Sequence, residues 1–237
     1  MVFTQKRELY YSQLDKDKKI SFETILQFFQ DIAVAHTNDS GFTLDKLSDL
    51  KKAWILLSMH AKFLKPVTLD SNIKIKTWTY DFARVCGPRA YEVLDAESGE
   101  IFALASAMWT YIDTETGRPC EIPKEMISYF GNEDAPDISY LRRAPSFTAD
   151  KHEVSFSVLN RDLDSNGHMN NVKYLGYALE TLPENVTVAE VEIFYRHPLY
   201  YGDKVSVYSC DADDTAVQLI FRNQDEKDCA YIKFVLG

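Results

Sequence analysis

Two stretches of this sequence can be laid over one another although they lie far apart. Leu14-Asp15-Lys16-Asp17-Lys18-Lys19 stands ahead of one apolar-periodic segment as Leu163-Asp164-Ser165-Asn166-Gly167-His168 stands ahead of another. Further on, Lys65-Pro66-Val67 with Asp70 precedes a strand-like run as His197-Pro198-Leu199 with Asp203 does. The offset is 149 positions from Leu14 to Leu163 and 132 from Pro66 to Pro198; the 17-residue difference falls in the region 39–52 of the first half. A repeat of this length means one supersecondary unit written twice, each copy burying its own apolar face.

Within each copy a helix is followed by strands. Ser21 is an N-cap candidate ahead of Glu23, and Ile25, Phe28, Phe29 and Ile32 recur at helical spacing until Asn38-Asp39-Ser40-Gly41. Strands are predicted at 54–64, 73–80, 90–94 and 101–112, the second with Ile73, Ile75, Thr77 and Thr79 alternating with Lys74, Lys76, Trp78 and Tyr80. The second copy repeats this with a strand at 154–158 and a helix carrying Val172, Leu175, Ala178 and Leu179 that Pro183 ends. Strands follow at 188–195, 205–209, 216–221 and 230–236. The reading is α+β, with an N-terminal domain over 1–131, a proline-containing acidic linker over 132–145 and a C-terminal domain over 146–237.

Composition narrows the function classes. With 26 basic against 36 acidic side chains and a net charge of −10, a protein that tracks nucleic-acid phosphates is not expected. No run approaches the roughly 18 apolar residues of a membrane helix, and the N-terminus lacks an apolar signal core, so a cytoplasmic protein is expected. Cys86, Cys120, Cys210 and Cys229 are scattered without CxxC or HxxxH spacing, so neither a metal nor a cofactor is called for.

One segment is dense in chemistry. From 160 to 174 the chain reads Asn-Arg-Asp-Leu-Asp-Ser-Asn-Gly-His-Met-Asn-Asn-Val-Lys-Tyr, with a carboxylate (Asp164), an amide (Asn166) and an imidazole (His168) at every second position before a helix. The helix start offers unpaired N–H groups for a carbonyl oxygen gaining charge, and Asp164 or His168 is suited to take a proton from water. The same residue types also serve an ordinary cap and turn. The first copy keeps the acid at Asp15 but has Asp17 for the amide and Lys19 for the imidazole, so the triad reads as surplus to structure.

The run Asp162–Tyr174, with Asp-x-Asn-x-His followed by Asn-Asn and a helix reaching Glu180, resembles the signature of acyl-acyl-carrier-protein thioesterases. The resemblance implies two tandem hot-dog domains, each an antiparallel sheet wrapped around a long helix, the second catalytic through Asp164, Asn166 and His168. It implies hydrolysis of a fatty acyl thioester of acyl carrier protein to the free acid, without cofactor, by a monomer or homodimer. An acyl-coenzyme A thioesterase and a non-catalytic acyl-binding hot-dog protein are the alternatives. It also implies an acyl pocket lined by helix one and the first sheet, with Phe28, Phe29, Ile32 and Trp54 as candidates. Members often carry a Glu, and plant members a Cys beside it, shortly after a Tyr-Arg pair; here Tyr195-Arg196 is followed by His197-Pro198-Leu199. His197 lies in the neighbourhood where the resemblance places that Glu and is a secondary candidate for touching the site. His36, His60 and His152 are expected to be structural or surface residues.

Overall fold

The computed structural model describes residues 1–184, 186–213 and 215–237. They form two compact units, one of Met1–Leu57 with Ala61–Tyr140, the other of Ser58–His60 with Leu141–Gly237.

The first unit is built on α1 (Phe22–Asp39). Ser21 Oγ accepts the Thr24 N–H at 3.1 Å, satisfying an amide that the first turn would otherwise leave unpaired. The face bearing Ile25, Phe28, Phe29, Ile32 and Ala33 is buried, and the helix lies against β3 (Ile73–Thr79) and β1 (Phe3–Arg7). With β2 (Lys52–Phe63), β4 (Cys86–Asp95) and β5 (Ile101–Asp113), these strands take the order β1-β3-β4-β5-β2. In β3 the residues Ile73, Ile75, Thr77 and Thr79 are buried and Lys74, Lys76 and Trp78 only partly so, as the alternation predicts.

The second unit holds β6 (Lys151–Ser157), α4 (Asn171–Leu179), β7 (Val188–Tyr195), β8 (Lys204–Asp213), β9 (Ala216–Asn223) and β10 (Asp228–Leu236). Its strands run β6-β8-β9-β10-β7. That is the order of the first unit with each strand replaced by its repeat counterpart, so the duplication read in the sequence is a duplication of topology. The two central helices differ, at 18 and 9 residues. The 17-residue difference is therefore not confined to 39–52: nine residues are the longer α1, four lie in the longer connection that follows it and holds α2 (Leu44–Asp49), and four are the longer β2, 12 residues against 8 in β7.

Three elements carry no periodic signal and were not expected: β1, α2 and α3 (Lys124–Phe130). β1 is five residues long and alternates only half-buried with exposed positions. α2 buries Leu47 alone, and α3 buries only Met126 and Phe130, too few points to define a period. In 132–145 neither helix nor strand forms. Trp78 Nε1 donates to the Asp134 carbonyl at 2.9 Å in the first unit, and Ala144 packs on Ala149, Ile220 and Tyr231 in the second.

One buried polar group stands out in the first unit. His36, fully buried on α1, accepts a hydrogen bond at Nδ1 from Arg89 Nη1 at 2.9 Å. Because guanidinium only donates, the imidazole proton sits on Nε2, which has no partner among the described residues. Arg89 is also buried, and its charge is met by Thr77 Oγ1 at 3.3 Å and by the face of Phe130 at 5.1 Å. Burial, and then the charge of Arg89, push the His36 pKa from its usual 6.5 down to about 3. Unfolding restores the usual value, so between these limits the unfolded chain binds the extra proton and stability falls as pH falls. The contribution is therefore complete above pH 6.5 and declines toward pH 3, at up to about 1.4 kcal/mol per pH unit for one proton. Urea unfolding measured across this range is expected to show the decline in the wild type. His36→Gln, which retains an acceptor for Arg89, is expected to flatten it; an unchanged slope in that variant refutes the assignment.

Candidate active site

The segment 163–169 is a closed turn. A bridge between Leu163 and Met169 joins its ends, and Asp164 N–H donates to the His168 carbonyl at 2.7 Å. Gly167 N–H donates to the Asp164 carbonyl at 3.1 Å. Gly167 has φ +76°, a left-handed conformation that glycine adopts without a Cβ penalty. The Asp164 carboxylate fills the turn. Oδ1 accepts the N–H of Asn166 at 2.8 Å and of His168 at 3.1 Å, and Oδ2 accepts Asn166 Nδ2 at 3.4 Å. Asp164 and His168 are half-buried and Asn166 is exposed. The structure therefore brings the three predicted residues into one turn, with the amide tied to the acid.

The first unit makes the same turn almost bond for bond. Leu14 bridges Ile20, Asp15 N–H donates to the Lys19 carbonyl at 2.7 Å, and Lys18 N–H to the Asp15 carbonyl at 3.1 Å. Asp15 Oδ1 accepts from Asp17 N–H at 2.9 Å and Lys19 N–H at 3.0 Å. Lys18, at φ 60°, stands where Gly167 stands. This corrects the reading that the whole triad is surplus to structure. The acid is the clamp of the turn in both copies. What distinguishes the second copy is Asn166, Gly167 and His168 in place of Asp17, Lys18 and Lys19.

The turn leads into α4, whose cap is Asn170. Its Oδ1 accepts Val172 N–H at 3.0 Å and its carbonyl accepts Lys173 N–H at 2.9 Å. The Asn171 N–H makes no hydrogen bond among the described residues. Tyr195, at the end of β7, anchors this helix start by donating its hydroxyl to the Asn171 carbonyl at 2.8 Å. The segment after Tyr195 supports the turn through its backbone, since Met169 N–H donates to the Leu199 carbonyl at 2.8 Å. Leu199 is buried and Pro198 exposed, so neither a carboxylate nor a thiol enters the site from those positions. His197 is exposed, and its side chain makes no hydrogen bond among the described residues. The second repeat match is corrected by one position. Asp203 Oδ2 accepts the Tyr200 N–H at 2.9 Å as Ser71 Oγ accepts the Thr68 N–H at 3.0 Å, so Ser71, not Asp70, is the counterpart of Asp203.

A residue that sequence reading missed is Tyr200. It bridges His168 along the backbone, and its ring lies 5.0 Å from the imidazole at 81°. The repeat held the signal: the first copy bridges Lys19 to Thr68, and an offset of 132 from Thr68 leads to Tyr200.

Of the acyl-pocket candidates, Phe28, Phe29 and Ile32 share the buried face of α1. Arg7 lies over the Phe28 ring at 5.7 Å, and Phe29 meets Tyr91 at 5.0 Å. Trp54 packs elsewhere, on Tyr111 at 5.1 Å, beside Leu47, Ile122, Met126 and Phe130.

Residues 1–130 match the acyl-ACP (acyl carrier protein) thioesterase N-terminal domain, and residues 146–233 match the acyl-ACP thioesterase C-terminal domain. The chain belongs to the acyl-ACP thioesterase family. Among relatives, a chloroplastic palmitoyl-acyl carrier protein thioesterase of Arabidopsis thaliana is 28% identical, over 95% of this chain and 61% of its own length. A chloroplastic oleoyl-acyl carrier protein thioesterase of Coriandrum sativum is 25% identical, over 86% of this chain and 62% of its own. The chain thus spans about three-fifths of these relatives, and 48% of a Cuphea hookeriana palmitoyl enzyme. In fold, it matches an acyl-ACP thioesterase from Bacteroides thetaiotaomicron with a TM-score of 0.91 at 18% identity, covering 100% of this chain and 98% of the other. It matches the 12:0-ACP thioesterase of Umbellularia californica with a TM-score of 0.85 at 18% identity, covering 100% and 97%. The tandem hot-dog, α+β fold expected from the sequence is the fold present.

In this member of the acyl-ACP thioesterase family the two clamps are expected to carry comparable stability. Asp15→Ala and Asp164→Ala each strand two backbone N–H groups and should lower unfolding free energy by about 1 kcal/mol. Asp→Asn at either position keeps an acceptor oxygen and should lose less. Urea unfolding of the four variants checks this, and an Asp164→Ala chain as stable as wild type would refute the clamp.

Proposed function

We propose that this chain is an acyl-ACP hydrolase that releases free fatty acid from a fatty acyl thioester of acyl carrier protein, using the second-unit turn as its active site. One observation carries the reading. The same turn is built twice from the same clamp, and only the second copy adds the amide and imidazole. Membership of the acyl-ACP thioesterase family across both halves supports the substrate class.

The roles follow from what each group is free to do. The Asp164 oxygens are engaged in the turn, so Asp164 places Asn166 and His168 and holds its negative charge beside them. Neither ring nitrogen of His168 is hydrogen-bonded among the described residues, so the imidazole is available as the base. It takes a proton from water as the water oxygen bonds to the thioester carbon. The carbonyl oxygen that gains charge is held by the Asn166 amide and the Asn171 N–H at the start of α4. When the carbon–sulfur bond breaks, the proton held by His168 passes to the departing thiolate. The products are a fatty acid and the carrier's free thiol. Four free cysteines fit a reducing compartment such as the cytoplasm.

Release of free acid from acyl-ACP of defined chain length tests this. His168→Ala is expected to lower turnover by about 10²-fold or more, the usual loss for a general base. Asp164→Asn, which preserves the clamp's acceptor, should lose less than His168→Ala. Wild-type turnover in His168→Ala rules out the reading, and equal rates on the matching acyl-coenzyme A would widen the substrate class.

A further inference from the structure

A catalytic imidazole is normally oriented by a hydrogen bond to its second nitrogen. His168 has no such bond among the described residues; its one side-chain contact of defined geometry is the ring of Tyr200, 5.0 Å away and at 81°, an edge-to-face arrangement. We propose that Tyr200 is the positioning residue of this site, and that its aromatic ring, not its hydroxyl, sets the orientation of the His168 imidazole. This rests on the hydrolase reading above.

Three observations support it. First, the backbone that carries the Tyr200 ring is fixed. Its N–H donates to Asp203 Oδ2 at 2.9 Å and its carbonyl accepts the Asp203 N–H at 3.1 Å. Asp203 is itself secured by Gln224 Nε2 at 3.0 Å and, through its carbonyl, by Val158 N–H at 2.9 Å. Second, the ring is not needed for the fold. The first copy makes the same bridge with Lys19 and Thr68, without an aromatic side chain. Third, the ring is not explained by burial, since Tyr200 is 51% exposed, and its hydroxyl makes no hydrogen bond among the described residues. The aromatic residue appears in the copy that has the histidine and is absent from the copy that has lysine. The adjacent Tyr201, 63% exposed, has no ring contact among the described residues and supplies an internal control.

The test uses the full chain with acyl-ACP as substrate and the His168 ring-proton resonances as a second readout. Tyr200→Thr installs the first copy's residue. It is expected to lower kcat about tenfold or more, the scale of a misplaced catalytic group, with little change in KM, and to move the His168 resonances as the ring current is lost. Tyr200→Phe should restore both to near wild type, and Tyr201→Ala should leave both unchanged. The proposal is overturned if Tyr200→Thr leaves kcat within about twofold or the resonances in place, or if Tyr200→Phe is as impaired as Tyr200→Thr. Failure of the hydrolase reading looks different: there His168→Ala keeps full turnover, whereas failure of the proposal alone leaves His168→Ala inactive and Tyr200→Thr active.

Discussion

A single carboxylate oxygen receiving two backbone N–H groups organises both halves of this protein. In each unit it turns the chain from the strand that precedes it into the helix that follows, through Asp15 in one and Asp164 in the other. Everything downstream depends on that turn: the cap at Ser21 or Asn170, the direction of the helix, and the bridge to the loop before β3 or β8. Side-chain acceptors of this kind are strong because the acceptor is charged and the donors would otherwise be unpaired. The clamp leaves the intervening side chains free to vary, and the proposed chemistry enters through them.

That separation lets one scaffold carry two different sets of side chains. The first unit fills the variable positions with Asp17, Lys18 and Lys19, while the second fills them with an amide, a glycine and an imidazole. Gly167 relieves the left-handed strain that Lys18 bears at φ 60°. The first unit instead carries a longer helix and a buried His36–Arg89 pair, whose charge is spread over a hydroxyl and an aromatic face. Burial without a carboxylate partner keeps that histidine neutral and links the unit's stability to pH.

Much of the fold is legible in the sequence. The N-cap at Ser21 and the α1 terminus near Asn38–Gly41 agree with the structure, as do β7 over Val188–Tyr195 and the alternation of β3, because these elements bury a periodic face. β1, α2 and α3 were illegible, since each buries too few side chains to leave a period. At the candidate site, the motif singles out Asp164, Asn166 and His168 but reads the acid as surplus to structure, whereas its part in the turn is a matter of backbone geometry. The repeat alignment slipped by one at Asp70 because it matched residue type, where the fold conserves an acceptor, Ser71, of a different kind.

The residues alone establish the duplication, the α+β order of elements and the position of the chemical motif, because periodicity and turn chemistry are local and written in consecutive side chains. Tertiary structure decided which distant groups meet. Tyr200 reaches His168, and Arg89 reaches His36, only because a bridge and a strand register align segments remote in sequence. No local pattern encodes such a register. It is set by the packing of whole strands and helices, and with it the surroundings of the imidazole on which the proposed chemistry turns.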